Sequence, residues 1–106
     1  AIDEFGRKQM LSQRQIYNIQ LVIEELVMNK LLPRQPRENP DITITVSYSD
    51  ESGAVEIILN YGAKEYNPVI EKDESDLPML IVSSMIKDIQ HCYEEGCNQL
   101  RIVLKE

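Results

Sequence analysis

The sequence predicts an α+β domain, a two-layer sandwich in which helices cover one face of a twisted, mostly antiparallel sheet. Three observations predict it: apolar residues at helical spacing over 13–32, strict alternation over 42–48, and turn residues at 50–53 and 94–96. The predicted order is α-α-β-β-α-β-β. With 106 residues, the chain suffices for one domain, residues 1–106, with one core.

The N-terminal part is predicted as two helices. Residues 3–11 read as a short helix, and Ser12 is a suitable N-cap for the long helix over 13–32. Three prolines, from Pro33 to Pro40, then forbid helix and predict a loop over 34–39.

The middle of the chain is predicted as a hairpin. Residues 42–48 place apolar side chains on one face and hydroxyls on the other, as a half-buried strand does. Residues 55–60 form the antiparallel return strand. Since 57–59 are all apolar, we expect that strand to be central and covered on both faces.

The C-terminal part is predicted as a helix and a second hairpin. After an acidic loop over 62–75, Asp76 is the predicted N-cap of a helix over 77–87, with Pro78 in its first turn. The last two strands are predicted over 89–93 and 99–104.

Composition excludes several classes of function. The net charge is -7, so neither nucleic acid nor an anionic membrane is an expected partner. No apolar run reaches the ~20 residues that span a bilayer, and no signal peptide is visible, so we expect a cytoplasmic protein. The chain does not begin with Met, and we interpret it as a fragment of a longer protein.

Cysteine chemistry offers little support for a catalytic or metal site. Cys92 and Cys97 lie near His91, but a fourth ligand is not evident, and we expect two reduced cysteines rather than a zinc site. A disulfide across the hairpin is the alternative in an oxidising compartment.

Glu25 and Asn29 are the most informative pair in the chain. They lie four apart on the long helix, so the carboxylate and the carboxamide share one helical face. The surrounding helix is apolar almost all round and is expected to be buried, so both polar groups need partners in protein, water or a ligand. Hydrogen bonds to nearby backbone are one interpretation, and a functional site is the other.

Four motifs give the chain a family resemblance. They are Glu25-Leu26-Val27-Met28-Asn29, Asn60-Tyr61-Gly62, Tyr66-Asn67-Pro68 and Gly96-Cys97-Asn98-Gln99-Leu100. Their order and spacing resemble the E-x-x-x-N, D-x-G, F-N-P and G-x-N-x-L motifs of the histidine-kinase-type ATPases, which have the Bergerat fold. Within that family, the small anti-sigma-factor serine kinases of bacteria are the most similar group.

The resemblance implies a role for each matching residue. Asn29 would hold the magnesium of Mg-ATP, and Glu25 would activate the attacking hydroxyl or water. Asn60 and Gly62 would stand at the adenine. Asp76 and Leu77 occupy the place where the family has a G-x-G that binds the phosphates.

Two departures from the family weaken the implied ATP site. Asn60 replaces an aspartate, so the bond to adenine would be neutral instead of charge-assisted. Pro78 lacks an N–H, and Asp76 as N-cap would place its own carboxylate on the donors that phosphates use. The preceding loop adds further negative charge, from Glu65, Glu71, Asp73 and Glu74.

Three functions follow from these observations. The leading expectation is a degenerate regulatory or interaction domain of a bacterial signalling protein, with weak or no nucleotide binding. The first alternative is an active ATP-dependent serine kinase that uses Glu25 and Asn29 with ATP and magnesium. The second is a structural oligomerisation module, in which the face of Thr43, Thr45 and Ser47 packs on a second sheet instead of facing water.

The resemblance suggests as partners a sigma factor, an anti-anti-sigma-like domain or another domain of the parent chain, and a homodimer stays open.

Overall fold

Two helices and a four-stranded antiparallel sheet form the domain in a computed structural model that describes residues 12–36, 38, 40–49, 53–71 and 73–105. The α+β class predicted from the sequence is therefore confirmed. The helix predicted over 3–11 lies outside the described residues. Within them, no helix is long and apolar enough to cross a membrane.

The long helix begins as predicted and then changes its geometry. Helix α1 (Gln13–Ile23) is capped by Ser12, whose hydroxyl accepts from the Gln15 amide at 3.1 Å while Gln15 Oε1 accepts from the Ser12 amide at 3.0 Å. The backbone continues as a π-helix (Glu24–Leu31) and one 3₁₀ turn (Leu32–Arg34). The prediction of regular α-helix to residue 32 is thus wrong beyond Ile23.

The sheet places its four strands in the order β1-β2-β4-β3, and every neighbouring pair is antiparallel. The strands are β1 (Ile42–Tyr48), β2 (Val55–Gly62), β3 (Ile86–Glu94) and β4 (Cys97–Leu104). Strand β2 is central, as predicted, and among the described strands β1 and β3 form the edges.

The core lies between the helices and one face of the sheet. Residues of β2 that point to the helices, such as Ile57 and Leu59, are buried, and so are Leu100 and Ile102 opposite them on β4. The intervening residues of β2 are only partly covered. The prediction that β2 is covered on both faces is therefore wrong, because the helices lie on one side only.

The second helix is shorter than predicted. Helix α2 (Leu77–Ser84) starts at the predicted N-cap Asp76, but it ends three residues early because the chain joins the sheet at Ile86, which pairs with Leu104. The following hairpin turns at Glu95 and Gly96, which have φ of 50° and 78°. Two consecutive positive φ values make the two-residue turn that suits the strand twist.

Candidate functional site

Glu25 and Asn29 contact each other directly in the π-helical segment. Asn29 Nδ2 donates to Glu25 Oε2 at 2.9 Å. The Glu25 side chain is buried, at 8% exposure, whereas Asn29 is exposed. The π-helix is a rare conformation that is frequently found at functional sites. The pair therefore presents one amide to solvent above a buried carboxylate, and the expectation that this helix is buried all round does not hold at Asn29.

Lys30 connects this pair to the second helix. Its ammonium donates to Asp76 Oδ2, across 46 positions of sequence. This hydrogen bond is the main reason why the pKa of Lys30 is raised and the pKa of Asp76 is lowered from their ordinary values. The charge of Glu25 also acts on Lys30 in the same direction. We call Glu25, Asn29, Lys30 and Asp76 the polar cluster.

Asp76 uses both of its carboxylate oxygens inside the protein. Oδ1 accepts from the Met79 amide in the first turn of α2 at 3.3 Å, and Oδ2 takes the Lys30 ammonium. The prediction that Asp76 caps this helix is confirmed. The ion pair with Lys30 was not predicted, because nothing in the sequence near either residue indicates a partner so far along the chain.

The other predicted site residues lie apart from the polar cluster. Asn60 points to the sheet face away from the helices, where its Oδ1 accepts from Gln99 Nε2 at 3.3 Å. Leu77 follows Asp76 but is 67% exposed. Gly62 lies at the end of β2, beside a separate pocket. Of the six predicted residues, only Glu25, Asn29 and Asp76 thus lie in the polar cluster.

Gly62 lies where two chain segments approach each other closely. A Cβ at this position would lie 2.6 Å from Asp41 Oδ2. The Gly62 amide donates to the Asp41 carbonyl at 3.1 Å, and the Gly62 carbonyl accepts from Gln35 Nε2 at 3.2 Å. Glycine therefore lets the loop after the 3₁₀ turn lie directly on the end of β2.

A pocket of about 310 Å³ opens beside Gly62. Its volume is at the lower end of the range for small-molecule sites. The Arg34 guanidinium lies 3.5 Å from the centroid of the Tyr66 ring, so one wall is a stacked cation and aromatic ring. Ala63 on the rim has a φ of 80°, a strained value for a residue other than glycine. The lining residues are Leu31, Arg34, Gln35, Tyr61, Gly62, Ala63, Lys64 and Tyr66.

Asn98 holds the loop that forms this pocket. Its side chain is fully buried, and Nδ2 donates to the carbonyls of Tyr61 at 3.3 Å and Lys64 at 3.1 Å. Its Oδ1 accepts from the Tyr66 amide and from His91 Nε2, each at 3.0 Å. Because Nδ2 faces two carbonyls, Oδ1 must be the atom that faces the Tyr66 amide and His91. An oxygen can only accept, so His91 carries a proton on Nε2. The resemblance marked Asn98 only as part of a tail motif, and its structural role was missed.

Tyr61 and Asn67 complete the anchoring of the same loop. The Tyr61 hydroxyl donates to the Tyr66 carbonyl, and burial raises the pKa of Tyr61 well above its ordinary value. Asn67 Oδ1 accepts from the amides of Val69 at 3.1 Å and Ile70 at 3.3 Å, as in an Asx turn. The pocket wall is therefore held by buried hydrogen bonds.

No metal centre can be assembled from the described part of the chain, which contains no cluster of three or more His, Cys, Asp or Glu residues arranged to hold an ion. Cys92 and Cys97 are both exposed and are not joined to each other.

Comparison with known proteins does not identify the chain. No protein-family model matches it, and no curated protein matches it either.

Proposed function

We propose that this chain is a degenerate domain of the histidine-kinase-type ATPase fold, which regulates a bacterial signalling protein in the cytoplasm through protein contacts and binds nucleotide weakly or not at all. The motif order from Glu25 to Leu100 supports membership of this family. The internal pairing of Asp76 with Lys30 and the Met79 amide supports the loss of nucleotide binding. A sigma factor, an anti-anti-sigma-like domain or another domain of the parent chain is the proposed partner.

The carboxylate of Asp76 is the single observation that carries the proposal. A phosphate site at this position would need free amides in the first turn of α2 and a nearby cation. One oxygen of Asp76 already takes the Met79 amide, and the other takes Lys30. An incoming triphosphate would have to displace an internal anion from both groups, and it would approach a chain of net charge -7.

Calorimetry with Mg-ATP, with an ADP titration and a magnesium-free titration as references, tests the proposal. We expect no binding to the wild-type chain at about 1 mM nucleotide, which corresponds to a binding free energy weaker than about -4 kcal/mol. Micromolar, magnesium-dependent binding would show that the proposal is wrong.

A matched pair of variants tests the physical reason. Asp76→Asn keeps an N-capping side chain but removes the charge that pairs with Lys30. Asp73→Asn removes the same charge from the same turn, where Asp73 accepts from Ser75 instead. We expect Asp76→Asn alone to gain Mg-ATP affinity, by about tenfold or more. Equal gains in both variants would attribute the effect to net charge and refute the local explanation.

The second candidate is an active ATP-dependent serine kinase. The 2.9 Å contact between Asn29 and Glu25 favours it, because the magnesium-binding and activating groups that the family resemblance names are both kept and adjacent. The pocket beside Gly62 also leaves room for a small ligand. Under this proposal, Asn29→Ala abolishes phosphoryl transfer to a partner while the circular dichroism spectrum is unchanged. Transfer that survives Asn29→Ala would exclude these roles.

A further inference from the structure

Strand β1 forms one edge of the sheet, and within the described residues it pairs with β2 only. We propose that this edge pairs antiparallel with the same edge of a second copy of the chain, so that two four-stranded sheets become one of eight strands. The proposal does not depend on nucleotide binding.

The backbone of β1 determines which groups are available at this edge. At one end of the hairpin the Asp41 carbonyl accepts from Gly62, and at the other the Ser49 amide donates to Ala54, at 2.9 Å. Bonded and non-bonded pairs alternate along an antiparallel ladder, so the odd-numbered residues of β1 bond to β2. The N–H and C=O groups of Ile42, Ile44, Val46 and Tyr48 therefore point outward.

A two-fold axis at Thr45 pairs these outward groups with each other. Ile44 then lies opposite Val46 of the second copy, and Ile42 lies opposite Tyr48 of the second copy. Only even-numbered residues meet even-numbered ones, so every outward group finds its complement, with about eight hydrogen bonds in the full overlap. A register centred between two residues would pair outward with inward groups and form none of them.

The side chains of β1 complement themselves in the same register. The apolar residues meet on the helix side, where Ile44 is 40% exposed in one copy and would gain cover. The exposed hydroxyls meet on the other side, Thr43 against Ser47 and Thr45 against Thr45. Cross-strand pairs of both kinds stabilise a sheet. An isologous contact of this type closes on itself as a dimer.

The two edges of the sheet differ in the features that prevent such pairing. Strand β3 carries Lys87, Asp88 and Glu94, and its register is interrupted between Ile86 and Asp88. Strand β1 contains no charged residue, no proline and no glycine over its length. Natural proteins protect exposed edges with charges and bulges. The β3 edge is protected in this way, whereas the β1 edge carries none of these features and, among the described residues, has no strand on its outer side.

Sedimentation velocity of the 106-residue chain, from about 10 μM to 1 mM, tests the proposal at the affinity expected of a small interface. We expect a concentration-dependent dimer, which is stronger at high salt because each copy carries a charge of -7. A monomer throughout this range would overturn the proposal.

Charge variants at the two-fold axis test the register. Thr45→Lys and Thr45→Glu each place like charges opposite one another, so each alone should be monomeric, while an equimolar mixture should dimerise. Ile81→Lys, on the exposed face of α2, is the control and should leave the dimer unchanged. Dissociation by Ile81→Lys but not by Thr45→Lys would move the interface to α2 and refute the proposal.

A crosslink supplies an independent readout in a background of Cys92→Ser and Cys97→Ser. Thr45→Cys should form an intermolecular disulfide under mild oxidation, because facing residues of a non-bonded pair have Cα atoms about 4.5 Å apart. Thr43→Cys should not crosslink alone, but it should crosslink when mixed with Ser47→Cys. Efficient crosslinking of Thr43→Cys to itself would contradict the register.

Discussion

Replacing Asn98 by leucine should destabilise the domain strongly, because this amide makes four side-chain hydrogen bonds from a fully buried position. Each bond contributes about 0.5–1.5 kcal/mol net. The hydrogen bonds to Lys64 and His91 are only partly buried, so the loss falls mainly on the buried bonds to the Tyr66 amide and the Tyr61 carbonyl. Leucine restores some apolar burial. The expected cost is about 2–3 kcal/mol.

Urea unfolding at 25 °C measures this cost. With a slope of about 1.5 kcal/mol/M, the midpoint of Asn98→Leu should fall by roughly 1.3–2 M. Gln99→Leu is the matched control, since it makes the same change at the next residue, where the amide is exposed and bonds only to Asn60 among the described contacts. It should cost less than about 0.5 kcal/mol.

Hydrogen exchange tests whether Asn98 stabilises the domain through its hydrogen bonds or only through packing of its side chain. In Asn98→Leu the Tyr66 amide should lose its protection selectively, because its acceptor is gone. A midpoint shift no larger than that of Gln99→Leu, or a Tyr66 amide that stays protected, would refute the assignment of Asn98 as the group that holds this loop.

Two further predictions concern the predicted site residues. Gly62→Ala should cost about 1 kcal/mol by urea unfolding, and adding Asp41→Ala should recover most of it, because the clash is with the Asp41 side chain; an unchanged cost in the double variant would place the strain in the backbone instead. The ion pair with Lys30 should make stability depend on pH in a defined direction. Since the pKa of Asp76 is lowered in the folded state, its contribution is present above the unfolded pKa of about 4 and is lost as the pH falls through the folded value. The stability difference between wild type and Asp76→Asn should therefore shrink in urea titrations as the pH is lowered from about 5 to below about 4; a difference that is constant with pH would contradict the pairing.

Elements that depend on neighbouring residues were predictable from the sequence. The alternation over Ile42–Tyr48 gave the strand β1 with its observed bounds. The caps at Ser12 and Asp76 were predicted because each binds an amide three residues ahead. The turn at Glu95 and Gly96 is equally local. In each case the interaction that determines the local structure joins residues only a few positions apart in the sequence.

The apolar run Ile57-Ile58-Leu59 hid the orientation of β2. Either phase of the strand places an apolar residue toward the core, so alternation could not tell which face Asn60 would take. The helices resolve this by covering Ile57 and Leu59, and Asn60 therefore faces away from the polar cluster.

The sequence by itself determined the α+β class, the strand positions, both helix starts and the adjacency of Glu25 and Asn29. Only the tertiary structure decided the π-helical segment, the pairing of Lys30 with Asp76 and the position of Asn98 at the centre of the hydrogen bonds that hold the pocket loop. The physical reason is range: the first group depends on residues a few positions apart, whereas the contacts of Lys30 and Asn98 join residues that meet only when the sheet and both helices have packed.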